Sequence, residues 1–349
     1  MKKHLKEDML FPLIRDYLTD YLPKKKFYSP NTVEAYRTVL SLFLDYICNS
    51  YGMELYQITF DKITPNCLSQ FLSWLEVERN CSPTTRNHRL ACIRAFYKYA
   101  GTMDVSLAAY RQDMMKVPLK KSEQSKPVKF LSEDALRILL QQLNPSKPKE
   151  LRNLFYMVLM YDSGCRNQEV LDLRLGDVHV SEKSPYIVVT GKGNKTRVVP
   201  IMAKTVQYFE KYKQSFHGDK KSDDYLFYTR SKGLRQQMSP DNVARFMQRY
   251  GSLAINAGAD IPGKLHPHML RHTRAMHLYR NGMPLVLLSE WLGHASLETT
   301  MVYAYADTEM KRQAIAKATM PGNPLKNTET IPEVKTPENQ LMKTLYGLR

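Results

Sequence analysis

Cysteine is scarce in this chain of 349 residues: Cys48, Cys67, Cys81, Cys92 and Cys165 are odd in number, and no two stand in a C-x-x-C pair. That argues against a disulfide framework or a thiolate zinc site and predicts reduced, mostly buried thiols. No apolar run approaches the ~20 residues that a bilayer-spanning helix requires. The lysine-rich start lacks the apolar core of a signal peptide, so a soluble cytoplasmic protein is expected. Internal repeats and low-complexity tracts are also missing. Acidic residues are the minority charge, with 34 Asp and Glu against 51 Lys and Arg, a formal net charge of +17. Such an excess asks for a polyanion: nucleic acid first, since neutralised phosphates release counterions, and an anionic membrane second.

The length suits two domains with short extensions, and 43% hydrophobic residues can fill their cores. Ser29-Pro30, Thr64-Pro65 and Ser82-Pro83 each place a capping hydroxyl before a proline at the first helical position. Apolar residues then recur at helical spacing, as at Val33, Tyr36, Leu40, Phe43, Leu44 and Ile47. With an earlier helix from Leu10 to Tyr21, and the third capped helix ending at Gly101, residues 1–110 read as a small helical bundle. Residues 111–129 lose this periodicity and gather lysines and prolines, the composition of a basic linker.

A second domain, residues 130–318, opens at Ser132-Glu133-Asp134 and continues with a helix from about Glu150 to Gly164. Short β-prone runs follow at Val178 to Val180, Tyr186 to Thr190 and Arg197 to Ile201, the last two joined by a turn from Gly191 to Lys195. Helices return at Val206 to Phe216, from Ser239-Pro240 onward, and from Thr308 to Ala318. The fold class is therefore mainly α with a small β-hairpin or sheet. In the tail, residues 319–349, four prolines precede Leu341, Leu345 and Leu348, spaced as one face of a short amphipathic helix.

One stretch organises the chemistry: Trp291-Leu292-Gly293-His294 through Met301-Val302-Tyr303. Gly293 should end one helix in a left-handed conformation and Ser296 should cap the next, leaving Tyr303 on a separately started helix. A phenol is a poor nucleophile unless a neighbour takes its proton or neutralises the charge it attacks. Upstream, His268, Arg271 and His272 share one helical face by their i, i+3, i+4 spacing. Earlier still lie Gly164-Cys165-Arg166-Asn167-Gln168-Glu169 and the turn Gly191-Lys192-Gly193. Two arginines, two histidines, a lysine and a tyrosine are what attack on a phosphodiester by tyrosine needs. The arginine forks stabilise charge on the non-bridging oxygens, and an acid protonates the departing oxygen. The motifs supply no clustered carboxylates of the kind a two-metal nuclease uses, so neither metal nor cofactor is expected.

The order and spacing of these boxes resemble the tyrosine recombinase family, the lambda-integrase-like and Xer-like phage integrases, over roughly Phe130 to Ala318. The family pattern is an arginine in Gly-x-Arg-x-x-Glu, a hairpin lysine, His-x-x-Arg, and Leu-Gly-His followed nine residues later by the nucleophile. Arg166, Lys192, His268, Arg271, His294 and Tyr303 fill it. The resemblance implies a helical core-binding domain that clamps DNA and an α+β catalytic domain. It makes Arg166 and Arg271 phosphate clamps, Lys192 the general acid, His268 an acid/base near the nucleophile, His294 a phosphate positioner and Tyr303 the nucleophile. Tyr305 is the rival nucleophile, and Lys195 and Arg197 compete with Lys192. Glu169 orients an arginine or caps local structure, and His272 and His277 are read as packing residues. Arg86, Arg89, Arg94, Lys120, Lys121, Lys195 and Arg197 are candidate DNA contacts. The function implied is a site-specific DNA recombinase forming a 3′-phosphotyrosine without ATP or metal. It would serve integration, excision, transposition or dimer resolution, acting on double-stranded DNA as a homotetrameric synaptic complex, with or without an accessory protein. The alternatives are a type IB topoisomerase-like nicking-closing enzyme and a non-catalytic DNA-binding protein on the same fold.

Overall fold

A computed structural model of the chain describes residues 9–121, 128–180, 183–191, 193–218, 222–231, 233–306, 312 and 315. It divides into two compact units, Met1–Gln124 and Ser125–Arg349.

The first unit is helical. Helix α1, Leu10–Asp16, runs on into a π-helical stretch, Tyr17–Lys25. α2 spans Pro30–Tyr51, α3 Pro65–Val77 and α4 Pro83–Met103. The three expected caps form: Ser29, Thr64 and Ser82 accept hydrogen bonds from the backbone N–H groups of Thr32, Cys67 and Thr85. Phe43, Phe71, Phe96 and Tyr97 are buried at the centre. α4 runs past Gly101 to Met103: that glycine keeps a negative φ inside the helix, and the chain leaves it at Asp104, in an extended conformation.

A further helix, α5, covers Ala108–Met115, so the expected boundary at residue 110 and the start of the expected linker fall inside it. Its periodicity is weak, but Met114 and Val117 sink into the core. Arg94 holds its end by donating to the carbonyls of Met114 (3.2 Å), Met115 (3.0 Å) and Val117.

The second unit begins with α6, Glu133–Gln141, capped by Ser132, and α7, Pro148–Ser163. α7 is buried on nearly every side, from Leu151 to Ser163, and is the hub of this core. The short α8, Asn167–Asp172, leads to an antiparallel sheet of β1 Val178–His179, β2 Tyr186–Thr190 and β3 Thr196–Pro200. Ile187 and Val189 of β2 point inward at 0% exposure. After α9, Ala203–Phe216, a second hairpin forms from β4 Tyr228–Ser231 and β5 Leu234–Gln237, which the hydrophobic pattern did not announce.

The chain closes with α10 Pro240–Asn256, α11 Pro267–Arg280, α12 Leu285–Leu292, a 3-10 turn Leu297–Thr299 and α13 Met301–Ala306. Among the described residues no helix is long and apolar enough to cross a membrane. Lys192, most of the helix expected at Thr308 to Ala318, and the tail fall outside the described residues.

Candidate active site

The site is assembled where the C-terminal ends of α7 and α12 meet the N-terminal half of α11. Gly164 caps α7 at φ 60° and Gly293 caps α12 at φ 64°, both left-handed, as the sequence implied for Gly293. The carbonyls at the end of a helix lack intrahelical partners, and three consecutive ones at the end of α7 find donors from other helices. Arg274 Nε donates to Asp162 O (3.2 Å), Trp291 Nε1 to Ser163 O (3.0 Å) and Arg271 Nη1 to Gly164 O (2.6 Å). Two of these donors are cations at a helix C-terminus, where the dipole favours positive charge.

Arg271 also donates through Nη2 to Leu292 O (2.8 Å), and Arg166 Nη2 donates to the next carbonyl, Gly293 O (3.0 Å). Two guanidinium groups thus converge on consecutive carbonyls immediately before His294. Arg271 is buried, and burial with the nearby Arg166 charge lowers its pKa to about 10. His294 is fixed by a bond between Nδ1 and Thr300 Oγ1 (2.8 Å). Burial, then Arg271 and Arg166, push its pKa down to about 4, so the ring is neutral at physiological pH.

Arg166 is the N-cap of α8, and Glu169 reaches back to both ends of it, accepting from the Arg166 backbone N–H (2.8 Å) and from Nη1 (2.7 Å). Glu169 therefore both caps and orients, as expected. Its second partner was not foreseen. Arg197 of β3 donates to both Glu169 oxygens (3.2 and 2.8 Å) and approaches Cys165 Sγ at 3.6 Å. Burial would raise the Glu169 pKa, but the hydrogen bonds from Arg197 and Arg166 overcome it and hold the carboxyl at about 2. Gly293 packs on the Arg197 guanidinium so closely that an added Cβ would sit 3.0 Å from Cζ, so this glycine serves the ion pair as well as the turn. The Cys165 thiol, pushed up in pKa by burial, is a packing group rather than a nucleophile.

Tyr303, on α13, is 1% exposed, and its Oη lies 2.9 Å from His272 Nδ1. Burial raises the pKa of the phenol, and Arg271 opposes the rise. Tyr305 is 66% exposed and points away, as two residues along a helix require. His268 is exposed one turn before His272, with the two ring centroids 6.4 Å apart. His277 bonds to Tyr161 Oη and Leu131 O, the packing role expected of it. His272, also read as packing, is instead the partner of the tyrosine. Arg166, Lys195, Arg197, Gly293 and His294 line one open cleft of about 390 Å³.

The other candidate DNA contacts belong to the first unit. Arg86 is buried, donates to Pro118 O (3.1 Å) and faces Glu76. Arg94 is spent on the end of α5, as described above. Both arginines therefore serve the fold in this arrangement. Arg89 approaches Cys81 Sγ (3.2 Å), Lys120 pairs with Glu76 (2.9 Å) and Lys121 is exposed.

Residues 129–310, more than half of the chain's length, match the phage integrase family, and residues 14–102 match the phage integrase N-terminal SAM-like domain. The chain belongs to the phage integrase family of tyrosine recombinases. It is 31% identical to tyrosine recombinase XerD of Vibrio cholerae over 287 residues, covering 81% of this chain and 88% of that protein. Tyrosine recombinase XerA of Pyrococcus horikoshii is 30% identical over 229 residues, covering 66% and 72%. In fold, the integrase resembles the XerH site-specific recombinase in its post-cleavage complex with a palindromic difH substrate, with a TM-score of 0.64 and 22% identity over 82% and 79% of the two chains. It also resembles the Tn1549 transposon integrase in complex with circular intermediate DNA, with a TM-score of 0.64 and 16% identity over 87% and 98%. As a tyrosine recombinase, the chain is an enzyme that cleaves and rejoins DNA strands.

Proposed function

We propose that Tyr303 is the nucleophile of this site-specific recombinase and that Arg166, Arg271 and His294 hold the scissile phosphate. One observation carries the reading. Arg166 and Arg271 meet at the adjacent carbonyls of Gly293 and Leu292, directly before His294, while Tyr303 reaches the residue next to Arg271. Each guanidinium keeps further N–H groups for a phosphate, and two such forks stabilise the charge that builds on its oxygens. Arg197 and Glu169 set the position of Arg166.

In the reaction the phenol oxygen forms a bond to phosphorus as the bond from phosphorus to the 5′ oxygen breaks. The phenol loses its proton, and Lys192, on the turn between β2 and β3, supplies one to the 5′ oxygen. His268 takes part in acid/base exchange beside the tyrosine. The phosphotyrosine conserves the energy of the diester, so a second strand's 5′ hydroxyl reverses the step without ATP.

Double-stranded DNA is the partner, in a synaptic homotetramer on two sites that works with or without an accessory protein. Arg89, Lys120, Lys121 and Lys195 contact its backbone, the tail from residue 319 docks on a neighbouring protomer, and the setting is the cytoplasm. The biological task lies among integration, excision, transposition and dimer resolution. Tyr303→Phe tests the assignment: covalent protein–DNA adducts should vanish while duplex binding persists, since one hydroxyl adds little to a many-phosphate interface. Adducts that survive the substitution would move the nucleophile to Tyr305.

A further inference from the structure

The geometry points to a second role on α11: we propose that His272, one residue past Arg271, takes the proton from Tyr303 as the phenol attacks. This rests on the reading of Tyr303 as nucleophile and replaces His268 as the group in contact with it. Three observations converge on it.

First, the two reacting atoms are already paired. His272 Nδ1 lies 2.9 Å from Tyr303 Oη, with the rings edge to face at 61° and centroids 5.8 Å apart, so a proton can pass without either side chain moving first. Second, the phenol is sealed from solvent. Tyr303 is 1% exposed among Ala275, Met276, Leu288 and Leu292, so bulk water cannot collect the proton and a charge formed there without an acceptor is penalised. Third, the acceptor is held in place. Arg271, its neighbour, is bolted to Gly164 O and Leu292 O, which fixes that turn of α11 in front of the tyrosine.

The ring is also in the right state to accept. Burial, followed by the nearby His268 and Arg271, lowers its pKa to about 4 and leaves the imidazole neutral at physiological pH. His268, exposed and one turn further out, lies toward solvent and can receive the proton afterwards. The step balances: the O–H bond of Tyr303 breaks, its electron pair forms the bond to phosphorus, and the proton resides on His272 Nδ1. When the strand is rejoined, His272 returns a proton to the phenol.

The test uses the full chain and a nicked duplex carrying the sequence at which the wild-type protein becomes covalently attached. His272→Ala and His272→Asn should slow single-turnover adduct formation by about 10²–10⁴-fold, the usual worth of a general base, with duplex binding unchanged. Asparagine can still hydrogen-bond but cannot carry a proton, so it separates proton transfer from mere positioning. Replacing Tyr303 by a difluorotyrosine, whose phenol ionises more readily, should restore most of the rate to both His272 variants and little to His268→Ala. Equal impairment with tyrosine and difluorotyrosine, full activity of His272→Asn, or recovery confined to His268→Ala would each overturn the proposal. Tyr303→Phe is the control for the underlying reading. If it still forms adducts the nucleophile is misassigned, whereas loss of adducts there with undiminished His272 variants defeats only the proton acceptor.

Discussion

Replacing Arg197 by alanine removes the guanidinium that meets both Glu169 oxygens at 3.2 and 2.8 Å, leaving the carboxylate, 5% exposed, with Arg166 alone. The carboxyl is held at about 2 against an ordinary 4.5, with burial working in the opposite direction. Each tenfold change in proton affinity is about 1.4 kcal/mol, so its partners together contribute on the order of 3 kcal/mol to the folded state. Breaking a buried pair outright costs about 3–5 kcal/mol, and with Arg166 still in place Arg197→Ala should cost about 2–3 kcal/mol.

The pH dependence has a definite sign. Because the folded pKa of Glu169 is depressed, its stabilisation is complete above the unfolded value and is lost as pH falls toward about 2. Urea unfolding should therefore show a deficit at neutral pH that narrows as the pH drops from about 4 toward about 2. Arg197→Lys, a point charge that cannot fork across both oxygens, should recover only part of the loss. Wild-type stability in Arg197→Ala at neutral pH, or a deficit that does not shrink with acid, would refute the argument.

Arg166→Ala and Arg271→Ala should each reduce single-turnover cleavage by about 10²–10³-fold, and a loss of less than about tenfold in both would reject the clamps. Each also strips structural donors, Arg271→Ala those to Gly164 O and Leu292 O and Arg166→Ala those to Glu169 and Gly293 O, so both should lower stability by about 1–3 kcal/mol in urea unfolding. Lys192→Ala should be largely rescued by a substrate with sulfur at the bridging 5′ position, because a thiolate leaves without a proton. Equal impairment on both substrates would indicate a binding role. Truncation after Ala318 should leave single-site binding intact and weaken cooperative assembly and recombination. Undiminished recombination would show that the tail is dispensable.

What was legible in the sequence was local. The Ser-Pro and Thr-Pro starts of α2, α3 and α4, the helix end at Gly164, the left-handed cap at Gly293, and the separate helix under Tyr303 each depend on a few consecutive residues. The spacing of His268, Arg271 and His272 likewise fixes a shared face of α11. The rest depended on partners far along the chain. Arg197 looks like a DNA contact until Glu169, 28 residues away, claims it. His272 looks like packing until Tyr303, 31 residues on, arrives at its Nδ1. Arg94 looks like one of several exposed arginines until α5 and the residues after it fold under it and offer the carbonyls of Met114, Met115 and Val117. β4 and β5 carry few of the β-branched residues that mark a strand, and their pairing does not show in periodicity.

The central claim, attack by Tyr303 at a phosphate held by Arg166 and Arg271, is tested most directly by identifying the atom that joins protein to DNA. Wild-type protein trapped on a nicked duplex, digested with trypsin and sequenced by mass spectrometry, should yield one peptide, Asn281 to Lys311, with a 3′-phosphate on Tyr303. A nucleotide on Tyr305, or a linkage to the 5′ side of the break, would contradict it.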